Sequence, residues 1–156
     1  MATVSSTRSA TDFPVPSGGH GQLMCHWGVY EVASALSKND IVDFFRLPSD
    51  SLVIDGYLQG DDLDTGIEAL EIDVGVSGDT DKFLNSGVLS GDAVTEHVPL
   101  ASIRAHFTGT KDGPVDLAGA AGDKTLVFGT VVAAATSGGT GTLFCYAEYT
   151  SPMATE

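Results

Sequence analysis

The sequence has few basic residues: seven Lys and Arg stand against 21 Asp and Glu, which gives 156 residues a net charge of −14. Proteins bind nucleic acids through Lys and Arg side chains that displace counterions from phosphates. We therefore expect no direct contact with DNA or RNA. The charge is also unevenly spread. Residues 1–38 carry two acidic and two basic side chains, so the other 19 acidic and five basic side chains of the chain supply the whole excess. The sequence predicts a neutral N-terminal part attached to a strongly acidic body.

Long apolar runs are absent. No segment approaches the roughly 18 consecutive apolar residues that a membrane-spanning helix needs. The N-terminal "MATVSSTRSATDFPVPSGG" has one Arg and lacks the apolar stretch of a secretory signal. These observations predict a soluble protein that is made in a cytoplasm and has no membrane partner.

Cysteine is scarce. Cys25 and Cys145 are the two cysteines of the chain, and with no export signal we predict that both are free, largely buried thiols. A structural zinc site needs four ligands at close spacing. His20, Cys25 and His26 offer three at most, so the sequence predicts no metal centre, and nothing in it implies a cofactor.

Catalytic signatures are also missing: the sequence contains no G-x-S-x-G elbow, phosphate loop or dinucleotide fingerprint. Aromatic residues are 8% of the chain, with one Trp, which gives little material for the stacking surfaces of a sugar-cleaving site. Glu96, His97 and His106, with Arg104, could form an acid–base group on neighbouring strands, but we predict that they are ordinary strand-surface residues. The chain is therefore predicted not to be an enzyme, and a small hydrolase built on these residues is the third-ranked alternative.

The acidic cluster "DDLDTG" at 61–66 raises the question of a calcium site. An EF-hand loop has Gly at its sixth position, whereas counting from Asp62 places Gly66 at the fifth. Asp side chains bond backbone N–H groups in turns, and Gly accepts positive φ. We predict a connection between two strands. An irregular calcium site at Asp61, Asp62 and Asp64 remains the alternative.

Alternation of apolar and polar residues is the main secondary-structure signal. In "LEIDVGV" the residues Leu70, Ile72, Val74 and Val76 share one face, as in a half-buried strand. Residues 52–58 predict another strand, with Leu52, Ile54 and Leu58 on one side. Residues 77–87, "SGDTDKFLNSG", are predicted to form a short helix capped by Asp79 or Thr80.

The C-terminal "KTLVFGTVVAAATSGGTGTLFCYAEYT" contains two alternating runs, and the "TSGGTG" between them predicts a hairpin. With nineteen glycines for tight turns, the pattern predicts a mainly all-β protein. The expected architecture is an antiparallel β-sandwich or a jelly-roll-like barrel, with one short helix and an extended N-terminal arm.

The first 27 residues are rich in Ser, Thr, Gly and Pro, and Pro14 and Pro16 oppose both helix and strand pairing. We predict an extended arm over 1–27, a single β-rich domain over 28–152 and a tail over 153–156. Terminal disorder and an arm that orders on a partner are both open interpretations. The second is suggested by five apolar anchors, which are Phe13, Val15, Leu23, Met24 and Trp27.

The order of motifs over residues 29–90 resembles a group of tailed-phage virion proteins whose genes typically lie near that of the major capsid protein. The pattern consists of "ALxxND", present as "ALSKND"; "LPxxxxVxDxxL", present as "LPSDSLVIDGYL"; and "DDLDTG…LxxDVG", followed by "DKFLNSG". The C-terminal strand pair also fits. None of these motifs is catalytic.

The resemblance implies a capsid decoration, or cement, protein: a small β-rich module on the outside of the assembled shell, often trimeric, with the major capsid protein as its partner. The neutral arm would then contact the capsid through the five anchors, by strand addition. The alternative is a phage tail or adhesin-type module that binds surface glycans.

Overall fold

A computed structural model describes residues 1–15, 22–49, 51–61, 63–64, 69–88, 102–107, 115–117 and 124–150. These residues form ten β-strands and one three-residue 3-10 helix, Thr7–Ser9. The strands are β1 (Thr3–Ser5), β2 (Leu23–Val32), β3 (Ile41–Pro48), β4 (Leu52–Asp61), β5 (Glu71–Val76), β6 (Asp79–Val88), β7 (Ser102–His106), β8 (Val115–Asp116), β9 (Lys124–Ala133) and β10 (Gly141–Thr150).

The strands form two sheets. Sheet A has the order β1-β3-β9-β5-β6, and sheet B has the order β2-β10-β4-β7, with β8 also paired to β4. All pairs are antiparallel except β1 with β3. The prediction of an all-β sandwich is confirmed, whereas the barrel alternative is not, because the two sheets do not close on each other. In the described part of the chain, no helix is both long and apolar enough to cross a lipid bilayer.

The core lies between the two sheets and follows the alternation of the strands. In β10 the side chains of Leu143, Cys145, Ala147 and Tyr149 are at most 1% exposed, whereas the residues between them are half-exposed. The predicted inward face of Leu70, Ile72, Val74 and Val76 is confirmed, since all four are buried. Burial of such side chains is the main favourable contribution to folding.

The helix predicted over residues 77–87 is wrong. These residues form the turn and most of β6, which pairs antiparallel with β5. Ser77 and Gly78 make a tight hairpin turn, and Gly78 has φ 91°, which an L side chain rarely adopts. Irregularities in the β5–β6 register accompany the burial of both Phe83 and Leu84. Two adjacent buried apolar residues break the alternation of a strand, which is why this segment resembled a helix in the sequence.

The hairpin predicted at "TSGGTG" is also wrong. Strands β9 and β10 belong to different sheets, so the connection crosses the sandwich instead of reversing within a sheet. Gly138 in this connection forms an isolated antiparallel bridge with Asp64. The two alternating runs were correctly recognised as strands, but alternation carries no information about which sheet a strand joins.

The predicted shared face of Leu52, Ile54 and Leu58 is split by a β-bulge. On β10, Glu148 pairs with Asp55 and Tyr149 pairs with Val53, so Ile54 is the extra residue. A bulge of this kind shifts the alternation by one position. Leu52 and Ile54 consequently stay 36% and 38% exposed, whereas Val53 and Leu58 are buried.

Candidate partner-binding surface

The described part of the N-terminal segment lies on the edge of the sandwich. Strand β1 adds to sheet A beside β3, and the segment beyond it is held by two basic side chains. The Arg46 Nε donates to the Ser9 carbonyl at 2.8 Å. The Lys124 Nζ donates to the carbonyls of Thr11 and Phe13 at 3.2 and 3.1 Å. Two of the seven basic residues of the chain thus fasten the segment to the body.

Asp40 fixes the start of the same segment. Its carboxylate accepts hydrogen bonds from the Ser37 N–H at 2.9 Å and the Ala2 N–H at 2.6 Å. These two backbone donors hold the pKa of Asp40 below its ordinary value, although burial opposes them. Asp40 therefore ties β1 to the loop before β3 as an ionised carboxylate.

The five predicted anchors have different environments. Strand β2 runs across the arm boundary predicted at residue 27, and Leu23, Met24 and Trp27 all belong to it. Met24 packs against the core, whereas Leu23 and Trp27 point outward and are 61% and 36% exposed. Phe13 and Val15 are half-buried. Contact of these five residues with a partner remains a prediction.

Arg8 brings two of the anchors together. Its guanidinium lies over the Trp27 ring at 4.1 Å from the centroid and over the Phe13 ring at 5.1 Å. Cation–π contacts of this length stabilise the arrangement of the rings. Leu23 is four residues away along β2, about 13 Å at the usual strand rise. The anchors therefore form an edge of the molecule, not one compact cluster.

His26 lies beneath Phe13. Its side chain is 1% exposed, 6.1 Å from the Phe13 ring and 5.5 Å, edge to face, from the Phe45 ring. Among the described residues, neither ring nitrogen has a hydrogen-bond partner. Burial, and secondly the charge of Arg8, lowers the pKa of His26 to about 4. A neutral imidazole therefore supports the N-terminal segment at ordinary pH.

The outer side of sheet B is rich in apolar and aromatic side chains. Among the described residues, the large apolar side chains that stay exposed are, apart from Met1, all on β2 and β4. Antiparallel register places side chains of β2, β10 and β4 side by side in rows. We call the two central rows the aromatic face; they contain Trp27, Tyr146 and Tyr57 in one row, and Val29, Phe144 and Gln59 in the other. Tyr57 stacks on Tyr146 with centroids 5.1 Å apart.

Acidic residues border the aromatic face at both ends along the strands. On one side, Glu31 lies next to Thr142, whose N–H bonds the Asp61 carboxylate at 2.8 Å. On the other side, Glu148 lies opposite Asp55. We call Glu31, Asp61, Glu148 and Asp55 the acidic rim. The sequences of β2, β10 and β4 contain no Lys or Arg, so these three strands present only negative charge.

Cys25 lies in the row between the aromatic face and the end of β2. The expectation of free thiols is confirmed for both cysteines, but Cys25 is exposed, so the expected burial holds only for Cys145. Burial raises the pKa of the Cys145 thiol above its ordinary value. A pocket of about 140 Å³ opens beside Cys25, lined by Leu23, Met24, Cys25, Tyr146 and Glu148.

Asp64, in the acidic cluster, has a structural role. Asp64 is 2% exposed, and its carboxylate accepts from the Ala69 N–H at 2.9 Å, the Ser137 N–H at 3.1 Å and both the N–H and hydroxyl of Thr136 at 3.0–3.1 Å. Burial by itself raises the pKa of Asp64, but these donors outweigh it and hold the pKa far below its usual range. Asp64 thus clamps the connection between β9 and β10.

Other candidate sites receive less support. Within the residues that the structure describes, no three His, Cys, Asp or Glu side chains are grouped as a metal site. His20, Asp62, Glu96 and His97 lie outside those residues. Of the postulated hydrolase group, Arg104 and His106 occupy β7 at the register positions opposite Gln59 and Tyr57.

Comparison with protein-family models and with curated protein sequences found no match. Similar solved structures do exist. A chain from the capsid of Ralstonia phage GP4 superposes with TM-score 0.67 at 20% identity, covering 98% of this chain and 100% of that one. A chain from the cyanophage Pam1 capsid asymmetric unit superposes with TM-score 0.65 at 19% identity, covering 92% of this chain and 94% of that one. A chain from the acidic stable capsid of Helicobacter pylori bacteriophage KHP30 superposes with TM-score 0.56 at 15% identity, covering 86% of this chain and 91% of that one. At these identities, the likeness shows a shared fold.

Proposed function

We propose that this chain is a bacteriophage virion component, a capsid decoration or cement protein that binds the outer surface of the major capsid protein lattice and stabilises the head. We further propose that it has no enzymatic activity. The observation that carries the proposal is the fold, which is shared with chains from three phage capsids over 86–98% of this chain. The motif resemblance over residues 29–90 points in the same direction.

The physical properties of the chain support this role. A protein that binds the closed lattice but not its dissociated subunits stabilises the lattice by mass action. A homotrimer, the state that we propose, would hold three such contacts together and so raise their effective concentration. The acidic surface elsewhere would keep decorated particles from associating.

The proposed contacts are Phe13, Val15, Leu23, Met24 and Trp27. Because β1 and β2 are integral strands of the two sheets, the contact would be made by a folded edge of the molecule. Removal of residues 1–27 would delete β1 and half of β2, so a truncation would test folding rather than binding. Point substitutions at the exposed positions Leu23 and Trp27 are the better probe.

The test uses empty shells assembled from the coat protein that is encoded in the same genome. Purified protein is mixed with shells, the shells are sedimented, and the bound copies are counted. We expect saturable binding of hundreds of copies and an increase in the temperature at which shells disassemble. The combined variant Leu23→Ala, Trp27→Ala should saturate at a higher protein concentration. Absence of binding, or a few copies per shell, would contradict the proposal.

A second candidate is a tail or adhesin module that binds surface glycans. The aromatic face favours it, because stacked rings such as Tyr57 and Tyr146 next to carboxylate acceptors suit the faces and hydroxyls of sugars. It predicts binding to purified host polysaccharide in the absence of shells, together with a low copy number in virions. The sedimentation count therefore separates the two candidates.

A further inference from the structure

The outer side of sheet B has the layout of a protein interface. Its centre contains Trp27, Tyr57, Phe144 and Tyr146, and large aromatic side chains of this kind are enriched at the centres of interfaces. On β2, β4 and β10 themselves, the charged groups are the carboxylates of the acidic rim. Successive rows are about 7 Å apart along a strand, so the two acidic rows lie about 20 Å from each other with the aromatic face between them.

The charge pattern disfavours a second copy of this chain as the occupant. Both ends of the face are acidic, so a two-fold pairing with the strands of the two faces aligned would place carboxylates against carboxylates. Like charges in apposition weaken an interface. The pattern excludes a phosphate backbone for the same reason.

Among the described side chains, Arg8 is the basic group at the face, and it lies over the Trp27 ring at the edge of β2. The four carboxylates of the acidic rim outnumber it, so the described part of the face is net negative. The complementary surface is therefore positive.

We propose that the aromatic face and its acidic rim bind a segment of the capsid protein that has apolar side chains in its centre and Lys or Arg at both ends. This inference rests on the proposed function and adds a second contact surface to the anchors of the N-terminal segment. The apolar centre supplies the affinity, whereas the rim selects and orients a basic partner. Continuity with the anchor Trp27, which belongs to both surfaces, makes the two contacts one interface.

Cys25 provides a test that requires no substitution. It lies next to the aromatic face and is exposed, whereas Cys145 is buried in the core. With a maleimide reagent, we expect rapid labelling of Cys25 in the free protein and at least about tenfold slower labelling in shell-bound protein, since a buried interface excludes the reagent. Cys145 should stay unlabelled in both states and serves as the internal control. Equal labelling of Cys25 in free and bound protein would overturn the proposal while leaving capsid binding intact.

Two matched substitutions make a second test. Val29→Lys places a charge in the centre of the face, where Val29 is 40% exposed. Thr80→Lys places the same side chain at an exposed position of β6 in sheet A. We expect Val29→Lys to weaken shell binding by about tenfold or more and Thr80→Lys to change it by about twofold at most. Equal thermal unfolding of the two variants ensures that folding is not the cause.

The charge of the rim is tested by Glu31→Gln, which keeps a hydrogen-bond acceptor for the Thr142 hydroxyl but removes the charge. Because exposed ion pairs are screened by salt, the variant should bind shells more weakly at low salt and show less salt dependence. If the wild type binds shells but Cys25 is labelled equally in both states, or Val29→Lys binds as well as Thr80→Lys, the face is not the contact and the proposed function stands. Unchanged binding and salt dependence of Glu31→Gln would overturn the role of the rim. If the wild type binds no shells, the proposed function fails and the inference fails with it. If the wild type binds host polysaccharide instead of shells, the second candidate function replaces the proposed one and the inference fails.

Discussion

The environment of His26 makes a sharp prediction about stability and pH. The imidazole is 1% exposed, lies between the rings of Phe13 and Phe45, and has no hydrogen-bond partner for either nitrogen among the described residues. The Arg8 guanidinium lies nearby and opposes a positive charge on the ring. Protonation in the folded state is therefore unfavourable, whereas in the unfolded chain the ring is free to take up a proton.

The sign and size of the effect follow from the two pKa values. The pKa of His26 is about 4 in the folded protein and 6.5 in the unfolded chain. Above pH 6.5 the ring is neutral in both states, so its protonation does not change the free energy of unfolding. As the pH falls from 6.5 towards 4, the unfolded state alone binds the proton, so the free energy of unfolding decreases. The full shift corresponds to about 3 kcal/mol at most, and the part lost by pH 5 is about 2 kcal/mol.

The assay compares unfolding of the wild type with that of His26→Phe at pH 7.5 and pH 5. Phenylalanine keeps an aromatic ring between its two neighbours but cannot bind a proton. Carboxylates such as Asp64 also affect the pH dependence of both proteins, so the difference between the two curves isolates His26. For a chain of this size, about 2 kcal/mol corresponds to roughly 4–8 °C. Between pH 7.5 and pH 5, we expect the melting temperature of the wild type to fall by roughly 4–8 °C more than that of His26→Phe.

Controls separate the effect of His26 protonation on stability from the effect of altered packing. Met24→Leu alters a half-buried side chain on the same strand without changing any titrating group, and it should keep the pH dependence of the wild type. If His26→Phe packs poorly, the smaller His26→Leu replaces it. The titration of His26, followed by nuclear magnetic resonance in the folded protein, is the direct check. A pKa near 6.5 in that titration, or parallel unfolding curves for wild type and variant, would refute the reasoning.

Three further substitutions test the clamp and the close approach of the two sheets. Asp64→Asn should lower the free energy of unfolding in urea at pH 7 by about 2 to 4 kcal/mol, because an amide loses the charge that four donors stabilise and points an N–H₂ group at some of them; an unchanged midpoint would contradict the clamp. Gly28→Ala should destabilise by about 2 kcal/mol or more, because a Cβ there would overlap the Phe44 carbonyl. Gly78→Ala meets no neighbouring atom and should cost only about 1 kcal/mol through its positive φ. Equal losses at the two glycines would contradict the predicted role of the sheet contact.

The strands could be predicted from the sequence more reliably than their partners. A period of two depends on one strand having one buried face, and it identified β5 and β10 correctly. Sheet membership depends on long-range contacts, so the same alternation fits both a hairpin and a crossing between sheets. The "TSGGTG" connection shows the difference, because its path is fixed by the Asp64 clamp, 72 residues from Thr136. A single Asp in an acidic cluster gives no sign of such a distant role.

The surface was predictable only in part. The neutral charge of residues 1–38 and the apolar anchors were visible in the sequence, but the fastening of the segment by Arg46 and Lys124 was not, because each bond spans 37 residues or more. The aromatic face was also hidden. Tyr57 and Tyr146 are 89 positions apart, and they stack because the pairing of β4 with β10 places them opposite each other. The low aromatic content of the sequence therefore did not predict that several aromatic side chains meet on one side of a sheet.

Strand β2 contributes both to the core and to the proposed binding surface, and its alternation assigns different residues to each. Residues at its even positions, such as His26 and Val32, face the core, whereas Trp27 and Val29 at odd positions face outward. Substitutions at His26 and Val32 should therefore act on binding only through folding, whereas substitutions at Trp27 and Val29 should act on binding directly. Because Trp27 also holds Arg8 of the N-terminal segment, the segment and the aromatic face meet at one residue. A partner that covers this strand would therefore contact both surfaces together, and loss of either contact would weaken the other.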